Sequence, residues 1–272
     1  MIIRVFPRRT PWTPTDPLAF IGFPPLFRPP DIDVEVLISV VFTWDKKLGE
    51  ELLVAWGALY RNVKLGGPAF GSPSEEFTPG LFIKKGVTIT SRGCDKSCPW
   101  CFVREREGRI RELRNIAPGY IVQDNNLLQC SKGHIERVFA MLRSQNKRIS
   151  FNGGLDAVYF EPWHNELLKT IKINELWFAC DTPQSIKQIE KISPLLDWLP
   201  QRKKRIYVLL GFNGETIEEA ERRLQKLFKL GFMPFAQLFR STEKMVYPPE
   251  WRKLVKTWSR PALIKETMRA VA

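Results

Sequence analysis

The chain is short of the residues from which disulfide frameworks and zinc modules are built. It carries five cysteines and two histidines in 272 residues. An odd cysteine number, with nothing at the N-terminus that reads as a secretory signal, argues against a disulfide scaffold and for a reducing cytoplasm. Cys130, Cys180, His134 and His164 are scattered and unpaired in sequence. A zinc site, which commonly draws on two ligand pairs, would have to recruit one of them across the fold. Long hydrophobic runs are missing as well. The nearest to a membrane span, Leu18 to Phe27, is broken by Pro24 and Pro25 and falls far short of the eighteen or so residues required. A soluble protein without membrane association is expected. Acidic residues are outnumbered, 29 against 42 Lys and Arg, for a net charge of +13. Such an excess attracts polyanions, so nucleic acid is the first partner to weigh.

What is present is concentrated in one stretch. After the β-branched run Val87 to Thr90 and a Ser-Arg-Gly turn come Cys94-Asp95-Lys96-Ser97-Cys98-Pro99-Trp100-Cys101. The C-x-x-x-C-x-x-C spacing puts three thiolates on one compact loop. An iron–sulfur cube needs four ligands, and proteins usually supply all of them as cysteines. Three would leave one iron open to an outside molecule, which suits a catalytic site better than an electron relay. The alternative reading of the same residues is a structural zinc site.

The spacing, with an aromatic residue just before the last cysteine, resembles the signature of the radical S-adenosylmethionine (SAM) superfamily. The resemblance implies a 4Fe-4S cluster on Cys94, Cys98 and Cys101, with the open iron chelating the methionine end of SAM. It further implies an electron donor of the flavodoxin or ferredoxin kind. No second cysteine cluster is visible, which argues against a sulfur-donating auxiliary cluster.

The remaining organisation falls into four segments. Residues 1–33 are proline-rich and read as an extended arm laid over the fold. Residues 34–80 read as a βαβ-like extension: strand Val34–Phe42, helix Gly49–Arg61 and strand Val63–Leu65, ending in Gly66-Gly67-Pro68. That ending resembles the close of the cobalamin-binding domain found before some radical SAM barrels. There is no D-x-H-x-x-G stretch to supply a cobalt-ligating histidine, so a structural role is expected. Residues 81–240 alternate strands (Val87–Ser91, Tyr120–Gln123, Arg148–Phe151, Glu175–Ala179, Ile206–Leu210, Pro234–Phe239) with helical patterns. Continuous apolar strands separated by helices predict an α/β fold with a parallel sheet. Periodicity does not separate a barrel from a doubly wound sheet. The resemblance, which covers about residues 86–240, implies a partial (β/α)6 TIM-like barrel. Residues 241–272 form a basic tail, expected to be helical.

In parallel barrels ligands gather at the carboxyl ends of the strands. The polar residues just past each predicted strand are therefore the candidate site. The resemblance offers two competing contacts to the amino group of SAM, Asp124 or Asn125 after the second strand and Gly153-Gly154 after the third. Asp156 and Asp181 are candidates to accept hydrogen bonds from its ammonium or ribose hydroxyls. Gly211 opens Gly211-Phe212-Asn213-Gly214-Glu215-Thr216, similar to the G-x-P-G-E-T turn of methylthiotransferase-like barrels, with Asn213 in place of proline. Each has a plainer reading. Asp-Asn-Asn is often a turn, Gly-Gly a strand terminator, and Glu215-Thr216 the start of a helix. Cys130 and Cys180 read as small buried hydrophobes, and no catalytic residue is assigned.

Basic residues gather at Arg202-Lys203-Lys204-Arg205 and from Arg240 to Arg269. Trp251 and Trp258, within the tail, could stack on bases or dock on the fold. Two functions follow. One is a radical SAM enzyme abstracting hydrogen from a substrate, with a nucleic acid or phosphate-bearing molecule as candidate. The other is a zinc- or cluster-stabilised nucleic-acid-binding module without catalysis.

Overall fold

β-Branched residues seed a first sheet at the very start of the chain. In the computed structural model, which describes residues 1–71, 76–240 and 245–271, strand β1 (Ile2–Phe6) is followed by β2 (Ala19–Ile21) and β3 (Glu35–Ser39). Helix α1 (Lys46–Gly57) and strand β4 (Asn62–Gly66) complete the unit. The strands pair in parallel in the order β2-β1-β3-β4. Ile3, Val5, Val36 and Ile38 pack against Leu52 and Trp56 of α1 in a core of their own. Gly49 lets the helix approach: a Cβ there would lie 2.6 Å from Val40.

The expected arm over 1–33 is thus corrected at its beginning. Ile2–Phe6 lies between two other strands, because its short β-branched run is free of proline. The prolines at 7, 11, 14 and 17 fall in the crossover from β1 to β2. A parallel pair needs a long crossover of this kind, and proline suits it because no ladder hydrogen bond is required there.

Strand β5 (Val87–Thr88) opens the second sheet and is shorter than expected. The chain leaves the sheet at once for β6 (Ser91–Arg92), helix α2 (Val103–Glu107) and β7 (Arg111–Glu112), with β6 and β7 antiparallel. Then come β8 (Ile121–Val122), α3 (Lys132–Ser144), β9 (Ile149–Leu155), α4 (Pro162–Lys169), β10 (Ile173–Ala179) and α5 (Ile186–Ile192). The chain closes with β11 (Lys204–Leu210), α6 (Ile217–Lys229), β12 (Met233–Leu238), α7 (Pro249–Trp258) and α8 (Pro261–Val271). The expected boundary between residues 240 and 241 lies at the edge of the described residues.

The six strands β5-β8-β9-β10-β11-β12 are all parallel and neighbour one another in chain order. Among the described residues the order never reverses, so the sheet shows no switch point of the doubly wound kind. Burial alternates along β11. Lys204, Ile206, Val208 and Leu210 are buried, while Arg205, Tyr207 and Leu209 stay partly open. Ile206, Val208 and Leu210 share the main core with Leu224 and Leu227 of α6 and with Trp251 and Trp258 of α7. Each such side chain removed from water contributes about 1.5–3 kcal/mol. The opposite face carries Trp177 stacked on Tyr207 at 4.3 Å, with the Arg205 guanidinium 4.8 Å from the Trp177 ring. The strands are therefore covered by helices on one face and lined by aromatic and polar groups on the other.

Helix α6 starts as its sequence requires. Thr216 accepts from the Glu219 N–H and Glu219 accepts from the Thr216 N–H, the reciprocal capping box. The tail tryptophans dock on the core, Trp258 fully buried and Trp251 8% exposed, which removes both from any base-stacking surface. The basic run before β11 is also partly absorbed. Lys204 is buried over Phe232, and Lys203 donates to the Ile173 carbonyl at 2.7 Å.

Candidate functional site

The cysteine loop leaves the carboxyl end of β5, and the segment after β8 holds it in place residue by residue. Asp124 is fully buried. Its carboxylate accepts from the Thr90 N–H at 2.6 Å, the Thr90 hydroxyl at 2.5 Å and the Ser91 hydroxyl at 2.9 Å. Asn125 accepts from the Gly93 N–H at 3.1 Å. Asn126 donates to Cys94 Sγ at 3.8 Å and to Asp156 at 3.2 Å. Gln129 accepts from the Asp95 N–H at 2.8 Å. The loop is closed from the other side as well, by the Cys94 N–H on the Gly108 carbonyl and by Arg104 on the Cys94 carbonyl and on Asp95. Gly93 is obligatory: its φ is +79° and a Cβ would meet the Arg109 carbonyl oxygen at 2.1 Å.

The Asp124 carboxylate, expected beside a cofactor, is thus spent on the loop itself, and Asn125 commits its Oδ1 to it. Burial pushes the Asp124 carboxyl up, against the pull of its bonds to Thr90 and Ser91. His134, fully buried on α3, adds a second layer by placing Nε2 3.3 Å from the Thr90 hydroxyl. Burial lowers its pKa and so favours the neutral imidazole, against the pull of the Glu112 carboxylate.

The other candidates divide. Gly153 sits inside β9, not past its end, and a Cβ there would lie 2.0 Å from the Asp124 carbonyl oxygen. It is the point at which the ends of β8 and β9 touch. Gly154, with φ +94°, faces open space, and a Cβ added there would meet no atom within 4 Å. Asp156 pairs with Lys96 at 2.5 Å, tying β9 to the middle of the cysteine loop. Asp181 accepts from the Leu209 N–H at 3.2 Å, and burial raises its pKa against a hydrogen bond from Trp100. Gly211 has φ +73°, lies against the Tyr247 ring and donates its N–H to Glu215 at 2.9 Å. Glu215 in turn meets the buried Arg223, which also donates to the carbonyls of Cys180 and Leu209. The Asn213 departure has a physical basis, since φ +55° at that position is closed to proline.

Cys94 and Cys98 are half-buried and Cys101 is exposed. Burial raises the pKa of Cys98 and Cys101, and each feels the charge of Cys94. The trio therefore shares one local field, and any soft metal binding there must displace protons. Among the described residues no three His, Cys, Asp or Glu side chains stand close enough together to hold one metal ion. Soft thiolates with no carboxylate ligand suit iron–sulfur or zinc. A cube, which takes ligands at separate corners, needs them farther apart than a single ion does. Cys130 and Cys180, both pushed up to about 12 by burial, are inert small side chains.

A cavity of about 800 Å³ opens beside the loop. Its wall includes Trp100 and Cys101, then Asp181, Tyr207, Leu209 and Gln237 from the second sheet. The opposing wall comes from the carboxyl ends of β3 and β4, with Leu37, Ile38, Ser39 and Val41 from one and Leu65 to Pro68 from the other. A smaller space of about 340 Å³ joins Asp124, Asn125, Asn152 and Gly153 to Tyr207 and Gln237. The sequence carried no sign that the N-terminal sheet reaches this site, nor that Thr90, Ser91 and Gln129 secure it. No family model matches the chain, and no curated protein matches it.

Proposed function

We propose that the chain is a radical SAM enzyme built on a partial (β/α)6 barrel, with Cys94, Cys98 and Cys101 holding a 4Fe-4S cluster. One observation carries the reading. Three thiols stand on a single loop at the carboxyl end of the first of six sequentially ordered parallel strands, anchored by the segment after the next strand, with Cys101 bordering a large cavity. When bound, the cluster would supply one electron to the sulfonium of SAM, received from a flavodoxin- or ferredoxin-like donor, to release methionine and a 5′-deoxyadenosyl radical that takes hydrogen from substrate carbon.

The chain's own residues prepare the setting. Asp124, Asn125, Asn126 and Gln129 fix the loop, and fixed geometry removes ordering cost from the binding step. Trp100 packs edge-on against Phe212 at 5.1 Å and forms part of the cavity wall beside Cys101. Asn125, Asp181 and the open backbone at Gly154 are polar contacts available to SAM, since the Asp124 carboxylate is fully engaged. Sequential parallel order favours the barrel, because right-handed crossovers without a switch point place every helix on one face and leave a hollow on the other.

Anaerobic reconstitution with iron and sulfide tests the reading. It should give a broad visible absorbance, lost in Cys98→Ala, and 5′-deoxyadenosine from SAM on reduction. Colourless protein that takes up only zinc would overturn it in favour of the nucleic-acid-binding module.

A further inference from the structure

The cavity between the two sheets is unlike a polyanion site. Its wall is mainly aliphatic and aromatic, and Val41, Phe82 and Phe102 remain 45%, 38% and 43% exposed where they line it. Large apolar side chains left open on both sides of one cavity are the usual lining of a small-molecule pocket. The basic run Arg202–Arg205 is elsewhere, at the amino end of β11, whereas the cavity opens at the carboxyl ends.

Two charged residues in the wall have unspent hydrogen-bonding atoms. Arg92 on β6 and Glu107 at the end of α2 bracket the cysteine loop and face each other at 3.7 Å. Among the described residues, Arg92 Nε and Glu107 Oε2 are buried without a hydrogen-bond partner. Leaving a buried group of this kind unmade costs about 1–3 kcal/mol, more when charged. Their side chains stay 15% and 23% exposed and line the cavity, so the pair offers a donor and an acceptor with compensated charge, which matches a neutral group offering one acceptor and one donor.

We propose that this cavity binds a largely apolar small molecule carrying a carboxamide or lactam edge. The edge is held between the exposed parts of the Arg92 guanidinium and the Glu107 carboxylate, and the ends of β3 and β4 form the specificity wall. This deepens the reading above by naming the substrate class of the same site, and rests on it for the reaction but not for binding.

Isothermal titration calorimetry of the full chain tests it with decanamide, decanoate and a single-stranded oligonucleotide as probes. Decanamide should bind at one site per chain, and decanoate roughly tenfold more weakly, because its charge meets Glu107. Val41→Arg, a half-exposed position, should weaken decanamide by at least about tenfold by placing a charge in the apolar wall. Phe102→Gln on the opposite wall serves should Val41→Arg fail to fold. Equal or tighter decanoate binding, displacement of decanamide by the oligonucleotide, or unchanged affinity in a folded wall variant would each overturn the proposal. Release of 5′-deoxyadenosine by the same preparation separates the two claims. Release without decanamide binding sinks the substrate class alone, and decanamide binding to protein that forms no cluster sinks the reaction alone.

Discussion

Gly153 and Gly154 are adjacent in sequence, yet the structure gives them opposite tasks, and exchanging each for alanine separates them. A Cβ on Gly153 would lie 2.0 Å from the Asp124 carbonyl oxygen and 2.8 Å from the Gln123 carbonyl carbon. Ordinary contact needs more than about 1 Å of extra separation, and backbone cannot rotate out of the way. The ends of β8 and β9 must therefore part. Overpacking of this sort costs about 1–3 kcal/mol. The displaced segment also carries Asp124, whose hydrogen bonds to Thr90 and Ser91 are worth about 1.5–3 kcal/mol each when made to a charged group. With one of them lost, Gly153→Ala should destabilise by about 3–6 kcal/mol. A Cβ on Gly154 would meet nothing within 4 Å, and only the positive φ of +94° resists a side chain, for about 1–2 kcal/mol. Urea unfolding of the reduced protein, comparing midpoints at unchanged slope, measures both. Alkylation of the cysteine loop, followed by mass spectrometry, should accelerate in Gly153→Ala and not in Gly154→Ala. A Gly153→Ala variant within about 1 kcal/mol of the parent, or one less costly than Gly154→Ala, would refute the packing argument.

Other outcomes follow from single groups. His164 is buried, accepts from the Glu161 N–H at 2.9 Å and has its pKa lowered by burial to about 4, against 6.5 for a free imidazole. The unfolded chain takes up that proton first as pH falls, so stability is complete above about pH 6.5 and is lost towards pH 4, by up to about 3 kcal/mol. Thermal melts across that window should fall less steeply in His164→Gln. Arg223→Met would leave the buried Glu215 carboxylate without its cation and take a donor from two carbonyls, for a loss of about 3–5 kcal/mol in urea. Thr216→Ala removes the side-chain cap of α6 and should cost about 1 kcal/mol by the same measurement.

The strands of the second sheet were legible because each is a β-branched or aromatic run bounded by turn residues. The start of α6 was legible because Thr216 and Glu219 form its capping box. Strand β1 was hidden by its neighbours: prolines at 7, 11, 14 and 17 give the segment the composition of an arm, although Ile2–Phe6 itself contains none. The run Arg202–Arg205 looked like a solvated face or a polyanion patch. Charge counts cannot show that Lys204 is buried over Phe232 or that Lys203 closes a strand end. The site divided along the same line. That polar residues cluster past each strand follows from local sequence, but whether Asp124 faces a ligand or the neighbouring strand depends on pairing between segments more than thirty residues apart.

That pairing also explains why so much polar chemistry is invested in one loop. Thr90, Ser91, Gly93, Cys94 and Asp95 each meet a partner between Asp124 and Gln129, so the loop is set by the fold before anything binds. Fixing a residue costs about 1–2 kcal/mol of backbone entropy. A loop ordered during folding spares binding that cost. The arrangement ties the cysteine region to the stability of the β5–β8 pair, which is only two residues long on each strand. With so little ladder between them, the carboxylate of Asp124 and the amides beside it are the principal connection between the two strand ends. Loosening them should therefore release the cysteine loop without unfolding the helices that cover the other face of the sheet.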